Sequence, residues 1–406
     1  MNPPPVNSRP VNPDTTTAGA SIAALVEPGA ELTAAEGERY SRHIIIPEIG
    51  AIGQRRLKNA RVLVVGAGGL GSPVLLYLAA AGVGTLGVVD DDVVDLSNLQ
   101  RQVIHGVKDV GRSKLESARE TVAQLNPLVD IRLHHTRLES ANALALFADY
   151  DLIIDGSDNF ATRYLVSDAA AILGKPSVWG SIHRFDGQVS VFWVQHGPTY
   201  RDLYPEAPPT GSVPTCNEGG VFGMLCGAVG SVMVGEAVKL ITGVGRTLLG
   251  RVLLFNALTS SWREIAICRD PAGEPVMELT DYNISCGTAS HPDDVDHGIT
   301  APELAAMLDA RDRAEQDFDL IDVREPEEHD IVCIPGGRLI PQDLILSGHA
   351  LPHLARDRDI VLYCKAGTRS ATVLAELRRQ GYTRVTHLLG GVLAWVKEIE
   401  PSQPVY

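Results

Sequence analysis

The fold of the first part of this chain is decided by the stretch RVLVVGAGGLG, residues 61–71. Residues 61–65 are an apolar run that ends at glycines, which predicts a strand buried on both faces. The glycine turn leads into an apolar segment, 74–81, that predicts a helix, and a second buried strand at 86–89 ends in Asp90. This order predicts a βαβ unit of a doubly wound α/β sheet.

Helices and strands continue to alternate on both sides of this unit. Upstream, Thr33 and Glu36 have capping-box spacing, and we expect the helix they begin to continue through the isoleucines at 44–46. Downstream, the pattern predicts elements at 114–125, at 131–135, from Asn142 and at 151–154. The segments 188–194 and 251–255 look like strands of an antiparallel extension, so the expected sheet is mixed.

Small residues recur every four positions at Gly223, Gly227, Ser231 and Gly235. That spacing places small side chains on one helix face and lets backbones approach closely. It predicts a tight intramolecular helix contact, with a dimer seam as the alternative. The uncharged stretch around them, 219–235, is shorter than the roughly 20 apolar residues of a membrane span, so we expect a buried helix.

Composition divides the chain into domains. Residues 1–30 are rich in Pro, Thr and Ala without hydrophobic periodicity, which is typical of a disordered leader. Residues 31–282 form the first expected globular domain. The segment 283–297 predicts a linker with a reach of about 22 Å. Residues 298–406 then form a second, smaller α/β domain.

Charge and cysteine content exclude several classes of protein. The 406 residues include 50 acidic and 35 basic ones, and this net charge of −15 argues against a nucleic-acid partner. Six cysteines in a chain of this length do not form a disulfide framework and are typical of reduced thiols. Without a basic start followed by an apolar run, we expect a cytoplasmic protein without a membrane partner.

The glycine turn and the residues after Asp90 indicate a nucleotide site. Backbone N–H groups of the turn and the following helix N-terminus would hold an anion, and Asp90 is placed to hold ribose hydroxyls. This pattern alone fits a dinucleotide dehydrogenase equally well. The polar loop 91–102 contains Arg101, and Lys114 begins the next helix, which favours a triphosphate because charge accumulates as pyrophosphate leaves. Asp158 adds a carboxylate suited to Mg²⁺.

Residues 31–282 resemble the MoeB- and ThiF-type sulfur-carrier adenylyltransferases, relatives of the ubiquitin-activating enzymes. The resemblance runs through RYSR at 39–42, GAGGLG at 66–71, SNLQRQ at 97–102 and Cys216. It implies a Rossmann-like adenylation domain that binds ATP and Mg²⁺, with Asp158 as metal ligand. It implies Arg42 as an arginine finger that reaches the phosphates of a partner subunit, and hence a homodimer. The nucleotide residues it implies are Gly66, Gly68, Gly69, Gly71, Asp90, Asp92, Ser97, Asn98, Leu99, Gln100, Arg101, Lys114, Asp158 and Asn159.

The chain departs from many of these relatives at two places where they carry Cys-x-x-Cys pairs for structural zinc. Residues 199–202 are TYRD and residues 270–276 are DPAGEPV, so neither place offers a thiolate pair. We predict that no zinc is bound and that local packing replaces it.

A second chemical motif begins at Cys364, in the stretch CKAGTR that follows an apolar strand and precedes a helix. Successive N–H groups and the helix N-terminus would stabilise a thiolate or persulfide. The four residues between Cys364 and Arg369 make a ring that favours sulfur over phosphate. With LIDVRE at 320–325, residues 298–406 resemble a rhodanese domain, which implies Cys364 as sulfur carrier. Cys216, in a flexible turn, matches a family cysteine with a thioester or disulfide role.

Together the two domains resemble the MoeZ-type adenylyltransferase–sulfurtransferase fusions. The resemblance implies a ubiquitin-like sulfur carrier partner of the MoaD, ThiS or CysO type with a C-terminal Gly-Gly, and a persulfide or thiosulfate sulfur donor. Adenylation would require Arg101, Lys114, Asp158 and Arg42, and sulfur transfer Cys364, Cys216 and Arg369. Two other classes stay open: a nicotinamide or flavin oxidoreductase fused to a redox domain, and a non-catalytic scaffold that binds a ubiquitin-like protein.

Overall fold

The computed structural model describes residues 22–207, 220–282 and 297–406. They divide into two compact units, a larger one that ends at Thr280 and a smaller one built mainly from the residues after it. Cys216 and almost all of the predicted linker lie outside the described residues.

The larger unit contains eight strands in one mixed sheet. Its helices and strands in chain order are α1 Ala34–Arg39, α2 Ser41–Ile44, α3 Gly50–Asn59, β1 Arg61–Val65, α4 Gly71–Ala81, β2 Thr85–Val89, α5 Lys114–Leu125, β3 Asp130–His134, α6 Ser140–Ala148, β4 Leu152–Asp155, α7 Phe160–Ile172, β5 Ser177–His183, β6 Asp186–Phe192, α8 Tyr200–Leu203, α9 Met224–Thr242, β7 Arg251–Asn256 and β8 Ser261–Ala266.

The strand order is β3-β2-β1-β4-β5-β6-β7-β8, parallel from β3 to β5 and antiparallel from β5 to β8. The predicted doubly wound sheet with an antiparallel extension is therefore confirmed. The order reverses between β1 and β4, where Val65 pairs with Asp155. A switch point of this kind opens a crevice at the carboxyl ends of the strands.

The N-terminal predictions need two corrections. The leader was predicted to run to residue 30, but the Leu25 N–H donates to Leu240 O and Val26 is buried, so the described residues 22–30 pack on this unit. The predicted continuous helix is interrupted at Tyr40, between α1 and α2. Tyr40 is buried and its hydroxyl accepts a hydrogen bond from Asn126, so tertiary packing overrides helix propensity there. The capping box of Thr33 and Glu36 is confirmed.

The small-residue repeat begins at the N-cap of α9, and a close intramolecular approach is found only at this first member, where a Cβ on Gly223 would overlap the carbonyl oxygen of Gln100. A Cβ placed on Gly227 or Gly235 would meet nothing within 4 Å, and Ser231 is exposed. The opposite face of the helix is buried, and its close approach is made by Gly230 against Pro73. Among the described residues, α9 is the one helix long and apolar enough to cross a membrane, and 56% of that stretch is buried, as in a core helix.

The smaller unit is a five-stranded parallel sheet in the order β11-β10-β12-β13-β9, with buried apolar clusters that include Leu362 and Val361. Its elements are β9 Gly298–Ile299, α10 Ala301–Asp312, β10 Phe318–Asp322, α11 Pro326–Ile331, β11 Arg338–Leu339, α12 Gln342–Leu346, β12 Asp359–Tyr363, α13 Thr368–Arg379, β13 Val385–Leu388 and α14 Gly391–Glu398. The predicted second α/β fold is confirmed.

Candidate functional site

The nucleotide loop, residues 66–71, lies at the carboxyl edge of the larger sheet. The Gly66 N–H donates to Val89 O of β2, and the Gly156 N–H after β4 donates to Val65 O of β1. A Cβ on Gly71 would overlap the carbonyl oxygen of Gly66, so the turn into α4 requires glycine. The loop thus presents a helix N-terminus at the switch point, where anions bind.

Asp90 closes one side of this loop. One carboxylate oxygen accepts the Ala67 N–H and the other accepts the Asp92 N–H, both at 2.8 Å. Burial raises the pKa of this carboxyl, although the positive charge of Lys114 works in the opposite direction. The acidic group is therefore fixed beside the loop with lone pairs left for a ribose hydroxyl.

Two cations border the same loop. The buried Lys114 contacts the exposed Asp92 with its Nζ at 2.8 Å. Arg101 donates to Ser97 O, and its Cγ would lie 3.7 Å from a Cβ placed on Gly69. Both positive side chains are thus near the anion-binding backbone.

The remaining predicted nucleotide residues lie in two neighbouring segments. Asp95 caps the short 3₁₀ turn Leu96–Asn98 by accepting from the Ser97 N–H, and Leu99 and Gln100 follow it. Asp158, which is exposed, and Asn159 follow β4 directly. Arg42 on α2 is also exposed, and within the described ranges it forms no hydrogen bond or ion pair with the nucleotide loop. The structure thus places the nucleotide loop, Asp90 and Asp158 after the carboxyl ends of β1, β2 and β4.

These residues fit a nucleoside triphosphate. The backbone cradle excludes side chains, the bordering lysine and arginine are cationic, and Asp90 and Asp158 supply oxygen donors of the kind that Mg²⁺ prefers. Asp90, Asp91 and Asp92 also place carboxylate oxygens within 4.8 Å of one another.

His105 is a buried side chain of this site that the sequence interpretation missed. Its Nε2 lies 2.9 Å from Ala67 O in the nucleotide loop, and its Nδ1 lies 2.9 Å from Ser117 Oγ of α5. Burial lowers the pKa of the imidazole, so the neutral form is favoured. His105 follows Gln102 by three residues in a polar loop, and no sequence motif at this position predicts a functional histidine.

The two places without cysteine pairs are joined by one carboxylate. Asp202 Oδ2 accepts the Thr199 N–H at 2.6 Å, and Oδ1 accepts the Asp270 N–H at 2.8 Å. Tyr200 beside it is buried against Trp179, with ring centroids 5.3 Å apart. Local packing of this kind is what the sequence predicts there.

The sulfur loop, residues 364–369, connects β12 to α13 in the smaller unit. Cys364 is fully buried, and its Sγ accepts the Gly367 N–H at 3.1 Å. Gly367 has a φ of +103°, a conformation that favours glycine. The loop therefore holds a sulfur atom against backbone donors at a helix N-terminus.

Behind the sulfur lies a polar chain that the sequence interpretation also missed. Ser370 Oγ lies 3.5 Å from Cys364 Sγ, 3.2 Å from Nδ1 of His387 on β13 and 2.9 Å from Gly367 O, so these three atoms are alternative acceptors for its single proton. Ser370 and His387 are both buried. Because they come from different elements, only the fold brings them to Cys364.

The far end of the loop is fixed by an ion pair. Arg369 donates to both carboxylate oxygens of Glu328, each at 2.7 Å. Burial alone would raise the pKa of Glu328, but the pairing with Arg369 holds it below its ordinary value. Arg369 is thus buried, and its guanidinium is held by Glu328.

Comparison with known protein families divides the chain into the same two domains. The ThiF family matches residues 40–275, and the rhodanese-like domain matches residues 300–398. The probable adenylyltransferase/sulfurtransferase MoeZ of Mycobacterium tuberculosis is 56% identical over 395 residues, covering 95% of this chain and 99% of that protein.

Other relatives match in whole or in part. The adenylyltransferase and sulfurtransferase MOCS3 of Drosophila ananassae is 39% identical, over 91% of this chain and 85% of that protein. A sulfur carrier protein adenylyltransferase of Thermus thermophilus is 51% identical, over 63% of this chain and 98% of that protein. The crystal structure of E. coli MccB with ATP shares the fold, with a TM-score of 0.52 and 18% identity over 60% of this chain and 75% of that chain.

The relatives that match nearly the whole chain are by name adenylyltransferases and sulfurtransferases, not oxidoreductases or scaffolds. With these matches, the chain belongs to the ThiF family, as a member that carries a rhodanese-like domain and is both an adenylyltransferase and a sulfurtransferase.

Proposed function

We propose that this enzyme adenylates the C-terminal glycine of a small ubiquitin-like sulfur carrier protein with Mg-ATP and then converts that end to a thiocarboxylate. The observation that carries this proposal is the presence of two different loops in one chain. One is an open anion cradle with bordering cations, and the other is built around a single sulfur atom. The first suits activation of a carboxyl group, and the second suits delivery of sulfur.

In the adenylation step, the carrier carboxylate attacks the α-phosphate and pyrophosphate leaves. Arg101 and Lys114 stabilise the charge that develops on the phosphate oxygens, while Asp90 holds the ribose. Bound Mg²⁺ would neutralise part of the same charge, with Asp158 as its protein ligand.

In the sulfur step, the outer sulfur of the Cys364 persulfide attacks the acyl carbon, and AMP leaves with the bonding electrons. The resulting acyl disulfide is cleaved when the Cys216 thiolate attacks Cys364 Sγ. This attack releases the thiocarboxylate and forms a Cys216–Cys364 disulfide, which an external dithiol must reduce. Cys364 is loaded again from a persulfide or thiosulfate donor.

We further propose a homodimer in which Arg42 reaches the partner's nucleotide. Two exposed apolar side chains follow Arg42 in the chain: Ile45, at the end of α2, is 66% exposed and Ile52, on α3, is 49% exposed. The open glycine face of α9 offers a second surface on which another helix could pack closely. Arg42→Ala should therefore lower adenylation without changing the dimer mass.

The partner is a carrier of the MoaD, ThiS or CysO type, serving molybdenum cofactor, thiamine or cysteine biosynthesis in the cytoplasm. The Thermus thermophilus relative is by name a sulfur carrier protein adenylyltransferase, which supports this class of partner. Intact-mass analysis of small proteins that co-purify with the enzyme would identify the carrier.

The test is the separability of the two steps. Cys364→Ala should abolish thiocarboxylate formation while carrier-dependent ATP–pyrophosphate exchange stays near that of the wild type. Cys333→Ala is the matched control, because it removes an exposed cysteine from the same unit. Equal loss of both steps in the Cys364 variant would contradict this division of roles.

A further inference from the structure

The segment 401–406 follows α14 and brings Tyr406 against the charged groups of the sulfur loop. The Tyr406 hydroxyl accepts a hydrogen bond from Arg324 Nη1 at 2.5 Å and donates one to Glu328 Oε1 at 2.9 Å. The ammonium group of Lys365 lies over the phenol ring, 4.4 Å from its centroid. One aromatic side chain thus contacts two cations and a carboxylate.

These contacts reach both ends of the sulfur loop. Lys365 directly follows Cys364 at the start of the loop. Glu328 binds Arg369, at the end of the loop, with both of its carboxylate oxygens. Tyr406 therefore connects the two ends of the segment that carries the reactive sulfur.

The surroundings of Tyr406 favour a fixed ring with a retained proton. The ring packs against the apolar cluster that contains Trp395 and Val396. Burial raises the pKa of the phenol, whereas Glu328 keeps a lowered pKa. A neutral phenol donating to an ionised carboxylate is the strong, charge-assisted form of this hydrogen bond.

We propose that Tyr406 is a positioning residue for sulfur transfer, which braces the sulfur loop by holding Lys365 at one end and the Glu328–Arg369 pair at the other. The inference rests on the proposed role of Cys364 as the sulfur carrier.

The test uses the full chain with thiosulfate as donor and cyanide as acceptor. Thiosulfate transfers sulfur to the Cys364 thiolate and leaves as sulfite; cyanide removes that sulfur as thiocyanate and regenerates the thiolate. Tyr406→Ala should lower kcat/KM for thiosulfate about tenfold, since displacements near 1 Å can cost up to about 10²-fold. It should also speed alkylation of the buried Cys364 by iodoacetamide. Tyr406→Phe should give an intermediate loss, because it keeps the ring over Lys365 and removes only the hydrogen bonds.

Tyr382→Phe is the matched control in the same unit. The Tyr382 hydroxyl donates to Leu351 O, and the guanidinium of Arg356 lies over its ring at 4.6 Å. The Tyr382→Phe variant should transfer sulfur at the wild-type rate even if its free energy of unfolding is lower than that of the wild type. Tyr406 variants with wild-type kcat, KM and alkylation rates would overturn the inference. An inactive wild type, or an active Cys364→Ala variant, would instead overturn the proposed role of Cys364.

Discussion

The nucleotide loop and the sulfur loop both connect a strand to a helix, but they differ in how much of each is exposed to solvent. Each follows a buried parallel strand and leads into a helix. Beside the nucleotide loop, Asp92 and Ser97 are exposed, whereas Cys364 and Arg369 of the sulfur loop are buried. A loop that admits a diffusing nucleotide must stay open, while a loop that carries its own sulfur can be closed by the fold.

The charges differ in the same way. Lys114 pairs with an exposed carboxylate that a phosphate can displace, but Arg369 and Glu328 are buried together. Removing one member of a buried pair leaves an uncompensated charge, which costs far more than losing a surface pair. Breaking the Arg369–Glu328 pair should therefore act mainly on folding, and removing Lys114 mainly on turnover.

The largest expected effect is on the stability of the smaller unit. Glu328→Gln should destabilise it by about 3–5 kcal/mol, because Arg369 stays buried with a neutral partner. Urea unfolding, monitored by hydrogen exchange of the amides in β10 and β12, would measure this loss of stability. Glu376→Gln, which breaks the surface pair with Arg379, should cost at most about 1 kcal/mol. Equal destabilisation of the two variants would contradict the claim that the buried pair of the sulfur loop contributes more to stability than an exposed pair.

In the nucleotide loop, the expected loss is in rate. Lys114→Met should lower carrier-dependent ATP–pyrophosphate exchange about 10²–10³-fold, because one charge-stabilising donor is lost from the phosphate site. Lys108→Met removes the same charge from an exposed side chain nearby, whose Nζ lies 3.7 Å from Glu120, and should leave exchange unchanged. Sulfur transfer from thiosulfate should be normal in both variants, and a defect there would show that the two loops are not independent.

The sequence predicts the parts of both loops that are continuous in the chain. The bounds of β1 and α5 agree with the prediction, and β1 ends where its apolar run meets Gly66. His105, His387 and Glu328 were missed because each acts on a loop from another element. Only the strand order brings such residues together.

The errors have the same cause. Tyr40 interrupts a helix because Asn126, far along the chain, holds its hydroxyl. The face of α9 that carries Gly227 and Gly235 lacks the predicted intramolecular helix contact, because spacing defines a face but does not say which neighbour covers it. Local patterns therefore predict the elements, and tertiary contacts decide how those elements end and pack.

A smaller effect is expected behind the reactive sulfur. Ser370→Ala should slow sulfur transfer from thiosulfate to cyanide about tenfold, equivalent to about 1.4 kcal/mol, because the hydroxyl beside Cys364 Sγ and its hydrogen bond to Gly367 O of the sulfur loop are both lost. His387→Asn should retain more activity than His387→Leu, since an amide can still donate to Ser370 Oγ. Ser347→Ala, at an exposed position in the same unit, is the control. Identical rates for Asn and Leu at position 387 would contradict an orienting role for the imidazole.

The smallest expected effect is a difference in acid sensitivity between the loops. The pKa of Asp90 is raised above its ordinary value of 3.8 by burial, so acidification protonates it earlier than a free aspartate. The pKa of Glu328 is lowered from 4.5, so its stabilising contribution is complete above pH 4.5 and is lost only as the pH falls through the lowered value. ATP binding, measured by calorimetry, should therefore weaken at a higher pH than thiosulfate loading of Cys364, measured by intact mass.

The Asp90→Asn variant should bind ATP less tightly at pH 7 but lose this acid-dependent weakening, whereas Asp91→Asn, with its exposed side chain, should keep it. If ATP binding to the Asp90 variant retained the wild-type pH dependence, a group other than the Asp90 carboxyl would be responsible for the acid sensitivity of the nucleotide loop.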